Sequence, residues 1–150
     1  MNAGDLCNRD VVTIEGGAGI IDAARLMREH HVGDLVVVEE RPRGAVPVGI
    51  LTDRDIVVGL IAPDVPELPA LRVSDVVADE LVVAREDESL ADVVKRMRTH
   101  GIRRIPVVDD EGVLLGIIAF DDVVDLLASM MDDLAALVGR EVSLERELRE

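Results

Sequence analysis

Aromatic side chains are almost absent from this 150-residue chain, which has one phenylalanine, Phe120, and no tryptophan or tyrosine. Proteins that bind single-stranded nucleic acid stack bases on aromatic rings, so the composition excludes that mode of binding. Apolar residues nevertheless make up 49% of the chain, which is too many for a disordered protein. The core must be aliphatic, and the length suffices for one compact domain or two small halves.

Basic residues and cysteine are also scarce. The 16 lysines and arginines face 31 acidic residues, which leaves a formal net charge of −15. Nucleic acid and anionic membrane surfaces both require a basic face, so we expect the protein to bind neither. The single cysteine, Cys7, cannot form an intramolecular disulfide, which fits a reducing compartment.

Long apolar runs are missing as well. No segment approaches the roughly 18–20 apolar residues that cross a bilayer. The first residues, Met1-Asn2-Ala3-Gly4-Asp5, lack the basic and apolar character of a signal sequence. We therefore expect a cytoplasmic protein.

What the chain does contain is the same pattern twice. Met27 matches Met97, and Gly49 matches Gly116 at an offset that is shorter by three, so the loop at 39–46 has three extra residues. Each copy reads as β-α-β-β-α and is too small to close a core comfortably alone. The sequence predicts an α+β fold in which two such repeats pack about a pseudo-twofold axis, followed by a C-terminal helix.

The repeat also predicts the domain boundaries. We assign residues 1–62 to the first repeat and 73–128 to the second. Between them lies a linker at 63–72, in which Pro63, Pro66 and Pro69 prevent a continuous helix.

Residues 129–150 form a helical tail in this assignment. The tail either packs on the body or forms an arm that joins a second subunit. Gly139 is expected to break it, which argues against a sustained coiled coil.

The end of the third strand carries a candidate site. Thr52 and Asp55 follow the apolar residues Ile50 and Leu51 and can line the first turn of a helix. The simpler interpretation is that both residues cap the helix. Alternatively, the carboxylate of Asp55 accepts hydrogen bonds from the vicinal hydroxyls of a sugar. The second interpretation gains weight because the segment recurs at Asp122.

The duplicated segments resemble a tandem CBS-domain pair, also called a Bateman module. In the first half the resemblance lies in Val11-Val12-Thr13-Ile14, His30-His31-Val32-Gly33-Asp34-Leu35-Val36-Val37-Val38 and Val48-Gly49-Ile50-Leu51-Thr52-Asp53-Arg54-Asp55-Ile56. In the second half it lies in His100-Gly101-Ile102-Arg103-Arg104-Ile105-Pro106-Val107-Val108 and Gly116-Ile117-Ile118-Ala119-Phe120-Asp121-Asp122-Val123. The resemblance spans about residues 5–127.

This resemblance implies two clefts for adenosine-containing ligands, with AMP, ADP, ATP and S-adenosylmethionine as candidate effectors. The family places an Asp on the ribose hydroxyls and basic residues near the phosphate. The residues matching the first cleft are Ile50, Thr52 and Asp55, facing Val77, Val82, Ile102 and Arg103. Those matching the second are Ile117, Ala119, Asp122 and Arg104, facing Cys7, Val12 and Val32.

Both clefts depart from the family pattern. Ala119 stands where the second cleft needs a hydroxyl, which removes one polar contact worth about 0.5–1.5 kcal/mol. In the first cleft, Asp34 occupies the position that Arg104 holds in the other repeat, and we expect Asp34 to repel phosphate. We therefore expect the first cleft to be the better ribose site, and a monophosphate or adenosine-type ligand to bind in preference to a triphosphate.

Other chemistry finds little support in the sequence. His30, His31 and His100 are expected at helix C-termini, where positive charge is favoured. No histidine or cysteine pair has zinc spacing, and Cys7 has no evident base partner. We therefore expect no metal and no enzymatic activity.

Three functions remain to be compared. The first is a ligand-sensing regulatory module, expected to be a homodimer that signals to an unknown regulated protein. The second is a dimerising scaffold that keeps the fold without a nucleotide ligand. The third is an enzyme, which the sequence supports least.

Overall fold

The computed structural model describes residues 1–149. The chain divides into two compact units, Met1–Ile118 and Ala119–Glu150, which are described in turn. The predicted α+β fold of two repeats with a C-terminal helix is confirmed.

The first sheet consists of β1 (Thr13–Glu15), β2 (Asp34–Arg41) and β3 (Gly44–Thr52). Strand β2 is central; it pairs in parallel with β1 and antiparallel with β3. Its residues 35–38 are all buried, so both faces of the sheet are covered and the strand is apolar without alternation.

The second sheet repeats this order with β4 (Ala84–Arg85), β5 (Arg104–Val108) and β6 (Leu114–Ala119). A tight turn joins its last two strands. Asp109 Oδ1 accepts hydrogen bonds from the backbone N–H groups of Glu111 and Val113, each 2.9 Å long. Gly112 takes a φ of 83° there, in the region that favours glycine.

Helices α2 (Ile20–His30) and α5 (Leu90–His100) cover the two sheets. Helix α2 buries Ile20, Ala23 and Met27, and helix α5 buries Val93 and Met97, so the matched methionines both lie in the core. Both end in a left-handed residue, His31 and Gly101, so the histidines do lie at helix C-termini.

Short helical segments connect these elements. They are α1 (Ala3–Leu6), α3 (Asp53–Ile56), a π-helical continuation of α3 (Val57–Ile61), a 3-10 turn (Leu68–Ala70) and α4 (Val73–Val76). The proline-rich linker is therefore not a continuous helix.

The N-terminal segment of each repeat is hydrogen-bonded to the other repeat. The N–H of Ala3 donates to the carbonyl of Glu88 at 2.9 Å, and the N–H of Val73 donates to the carbonyl of Ala18 at 2.8 Å. These two bonds are equivalent, because Ala3 matches Val73 and Ala18 matches Glu88 at the constant offset between the repeats. The two halves are thus joined through exchanged N-terminal segments, as pseudo-twofold symmetry requires.

The second unit is a single helix, α6 (Phe120–Arg149), of 30 residues. The prediction that Gly139 breaks the tail is wrong. A glycine weakens a helix by about 1 kcal/mol relative to alanine, and it ends a helix only where it adopts a terminating conformation. Gly139 has no positive φ, and good helix formers such as Leu137, Arg140 and Glu141 lie on either side of it.

Candidate ligand-binding crevice

The start of α3 has the geometry of a capping box. Thr52 Oγ1 accepts from the N–H of Asp55 at 3.1 Å, and Asp55 Oδ2 accepts from the N–H of Thr52 at 2.9 Å. The capping interpretation is therefore confirmed. It does not exclude a ligand, because the cap uses Oδ2 and Asp55 is exposed, so Oδ1 can still accept a hydrogen bond.

A crevice of 170 Å³ opens between the repeats. The first repeat contributes Gly49 and Ile50. The second contributes Val77, Ala78, Glu80, Leu81, Val82, Ile102 and Arg104. Ile50, Val77, Val82 and Ile102, which the resemblance assigned to the first cleft, therefore do line one hollow. Its walls are mostly apolar, with Glu80 and Arg104 as the charged members, and its volume suits a heterocyclic base rather than a whole nucleotide.

The grouping of the arginines differs from the prediction. Arg104 lines this first crevice, although the resemblance placed it in the second. Arg103, which was expected in the first, is exposed just before β5. The sequence places Arg103 and Arg104 next to each other and does not indicate which of the two side chains points into the crevice.

Asp55 lines a second, larger hollow of 540 Å³ together with Arg54, Asp75 and Val76. Val76 lines this hollow and the next residue, Val77, lines the crevice. The two openings are therefore neighbours at the C-terminal end of α4. Thr52 lines neither of them and acts through the cap on Asp55.

Gly49 sets the width of the crevice. A Cβ built on Gly49 would lie 2.5 Å from Val77 Cγ1, which is closer than any side chain can tolerate. Glycine is therefore required where the valine of the second repeat presses on the sheet of the first.

Arg104 forms an ion pair with Asp34, with 3.1 Å between Nε and Oδ2. Asp34, which we expect to repel phosphate, also holds the arginine that would meet phosphate. Burial raises the pKa of the Asp34 carboxyl, Arg104 opposes that rise and Asp53 adds to it. The guanidinium is therefore already partly neutralised before any ligand arrives.

Backbone hydrogen bonds bridge the region that is equivalent to the crevice in the other half. Asn8 and Ile117 exchange two hydrogen bonds of 2.9 Å each. A Cβ on Gly116 would lie 2.7 Å from both Cys7 Sγ and the carbonyl oxygen of Asn8. Ala78 and Ile50 are the residues that match Asn8 and Ile117. Within residues 1–149 they form no such bridge, so the crevice beside Ile50 stays open.

The remaining residues assigned to the second cleft are placed as follows. Val12 and Val32 are half-buried next to the ends of β1 and α2. Ala119 and Asp122 belong to the second unit, where Asp122 Oδ2 accepts from the N–H of Ala119 at 3.1 Å. This bond repeats the one between Asp55 and Thr52, but alanine cannot return the hydroxyl contact.

Cys7 is buried with an exposure of 9%. Burial raises the pKa of its thiol, an effect that Arg9 partly opposes. Thiols react as thiolates, so the raised pKa makes Cys7 a poor nucleophile at neutral pH.

Neither a metal site nor a membrane-spanning helix is evident in residues 1–149. No group of three or more histidine, cysteine, aspartate or glutamate side chains could hold a metal ion there. No helix in that range is both long and apolar enough to cross a bilayer.

Comparison with known sequences identifies the family. The sequence model of the CBS domain matches residues 3–61 and 73–129. The chain therefore belongs to the CBS domain family, as the duplicated motifs predict.

Two relatives illustrate the range of similarity. The chain is 39% identical over 119 residues to the CBS domain-containing protein YhcV of Bacillus subtilis, and the match covers 79% of each protein. It is 33% identical over 127 residues to protein MK0525 of Methanopyrus kandleri, a match that covers 84% of this chain but only 62% of that protein.

Solved structures share the fold. The CBS domain pair of protein MJ0100, in complex with 5′-methylthioadenosine and S-adenosyl-L-methionine, has a TM-score of 0.73 at 25% identity and covers 87% of this chain and 98% of its own. The cytosolic domain of the Mg²⁺ channel MgtE, in complex with ATP, has a TM-score of 0.69 at 28% identity. This match covers 83% of the present chain and 48% of the MgtE chain.

Proposed function

We propose that this protein is a regulatory module that senses an adenosine-containing ligand in the crevice between its repeats. The observation that supports this most is the apolar crevice itself, in which Ile50 from one repeat faces Val82 and Ile102 from the other. An adenine ring fits between such side chains. Asp55, in the adjoining hollow, accepts hydrogen bonds from the ribose hydroxyls.

The electrostatics of the crevice select against polyphosphates. Glu80 and Arg104 both line the crevice, and Asp34 holds that arginine. A ligand phosphate must compete with both carboxylates, on a protein with a net charge of −15. Among AMP, ADP, ATP and S-adenosylmethionine, AMP and S-adenosylmethionine are therefore the favoured effectors.

Signalling follows from the position of the ligand. A ligand that touches both repeats stabilises one relative arrangement of them over others, which is a population shift. We propose that a homodimer in the cytoplasm transmits this change to a regulated protein and that the chain is not an enzyme. Similar CBS pairs bind methylthioadenosine, S-adenosylmethionine or ATP, which supports adenosine recognition here.

Isothermal titration calorimetry with AMP, ATP and S-adenosylmethionine tests this proposal. We expect AMP or S-adenosylmethionine to bind more tightly than ATP. Tightest binding by ATP would contradict the electrostatic argument. No binding by any adenosine derivative at millimolar concentration would favour the alternative, a dimerising scaffold that keeps the fold alone.

A further inference from the structure

Helix α6 carries a heptad pattern along its whole length. From Phe120 onward, apolar residues recur at alternating steps of three and four. They are Phe120, Val123, Leu127, Met130, Leu134, Leu137, Leu144 and Leu148, with Glu141 as the single polar member of the series. This spacing is typical of a helix that packs along another helix.

The central part of this stripe is exposed. Leu127, Met130, Leu134 and Leu137 are 56%, 53%, 56% and 55% exposed. Single apolar residues on a surface need no explanation, but a contiguous stripe over several helical turns indicates an interface.

The charge distribution along α6 indicates which partner fits. Residues 120–138 carry five aspartates and no basic residue, whereas 139–149 carry three arginines and three glutamates. Two copies side by side in parallel would place one acidic half against the other. In an antiparallel pair, each acidic half faces the half that contains the arginines, and the helix dipoles also oppose favourably.

We propose that α6 is a dimerisation helix that pairs antiparallel with α6 of a second copy of this chain. Centring the pair between Leu134 and Leu137 places Leu127 opposite Leu144 of the second copy. The same register brings Asp133 beside Arg140 of the second copy, and symmetry repeats the pair. The proposal does not depend on any ligand, so it stands or falls separately from the sensing function.

Sedimentation velocity on the full chain tests the interface. We expect a dimer for the native protein and a shift towards monomer, with a dissociation constant raised at least about 100-fold, for the double variant Leu134→Lys/Leu137→Lys. The matched control, Ala135→Lys/Ala136→Lys, adds the same charge on the opposite face of the same helix and should remain dimeric. A monomeric native protein, or equal dissociation of both variants, would overturn the proposal.

Disulfide trapping tests the orientation independently of variant stability. In a Cys7→Ala background, chains carrying Leu127→Cys are mixed with chains carrying Leu144→Cys and oxidised. An antiparallel pair yields the mixed disulfide, while Leu127→Cys alone stays uncrosslinked, because its two copies lie about 25 Å apart along the helix axis. Efficient self-crosslinking of Leu127→Cys would show a parallel pair and refute the assignment. An AMP titration of the Leu134→Lys/Leu137→Lys variant reports separately on the crevice.

Discussion

Asp34 and Arg104 occupy equivalent positions in the two repeats, yet they carry opposite charges and pair with each other. In a symmetric duplicate both positions would bear the same side chain, and like charges would face each other near the symmetry axis. The exchange of one arginine for an aspartate removes that repulsion. It also leaves the crevice with a single, already paired cation for phosphate.

Asp55 and Asp122 allow a matched test of the ribose contact. Alanine at either position removes the same capping bond, to the N–H of Thr52 or of Ala119. Both variants should therefore lose about 1 kcal/mol of stability. We expect Asp55→Ala alone to weaken AMP or S-adenosylmethionine binding by about 10- to 100-fold, because a charged acceptor for the hydroxyls is lost.

Calorimetric titration of both variants, with urea unfolding as the stability measurement, distinguishes these effects. Asp55→Asn is a further control, because its amide oxygen can keep the cap while the charge is removed. Equal losses of affinity in the two alanine variants would contradict the assignment of the ribose site to α3.

Gly49 provides a steric test of the crevice. We expect Gly49→Ala to lower the free energy of unfolding by about 1–3 kcal/mol, because the new methyl group collides with Val77. Ligand binding should fall with it. Adding Val77→Ala should restore part of the stability by making room. Gly17→Ala, where a Cβ meets nothing within 4 Å, should change stability little; a comparable loss there would show that the collision is not the cause.

At the scale of the elements, the duplicated β-α-β-β-α pattern predicted α2 and α5, because matching residues recur in both halves. It did not predict the uninterrupted α6, because a glycine in a sequence does not reveal its φ. The π-helical turn after α3 also left no sign in the sequence. The bridge between Asn8 and Ile117 depends on backbone approach across the repeats, which side-chain identity does not encode.

Helix α5 is anchored by an ion pair that makes its stability depend on pH. Arg96 Nη2 donates to Glu88 Oε2 at 2.5 Å, and Arg96 Nη1 donates to Glu88 Oε1 at 3.0 Å and to the carbonyl of Val83 at 2.8 Å. The hydrogen bond from Arg96 lowers the pKa of Glu88, an effect that burial opposes. A lowered folded-state pKa means that this stabilisation is present at neutral pH and is lost as the pH falls through that value.

We therefore expect Glu88→Gln to lower the free energy of unfolding by about 1–2 kcal/mol at pH 7. This difference from the native protein should shrink below about pH 4. Urea unfolding at pH 7 and pH 3 measures both values. Glu29→Gln, at an exposed position on α2, is the control and should leave the free energy of unfolding at pH 7 unchanged. A Glu88→Gln deficit that stays constant at both pH values would rule out the ion pair as its source.

The whole molecule combines a symmetric scaffold with an asymmetric pair of crevices. The exchanged segments α1 and α4 make equivalent bonds to the opposite repeat, yet in the described part of the chain the Asn8–Ile117 bridge has no counterpart between Ala78 and Ile50. The duplicated motifs predicted the symmetric part, because the matching residues recur at fixed offsets. They could not predict the asymmetric part, because both halves carry the apolar residues that a crevice requires.

This asymmetry predicts one ligand per chain. A ligand in the first crevice enters an existing opening. A ligand in the equivalent region of the other half would have to break the two backbone hydrogen bonds between Asn8 and Ile117. We expect calorimetry with AMP or S-adenosylmethionine to give a stoichiometry near one, and a ligand concentration about 100 times Kd to raise Tm by about 5–10 °C. Gly49→Ala should abolish this shift, and Gly17→Ala should retain it. Two equivalent ligands per chain would mean that the bridge opens at little cost and that the crevices differ less than their backbone contacts indicate.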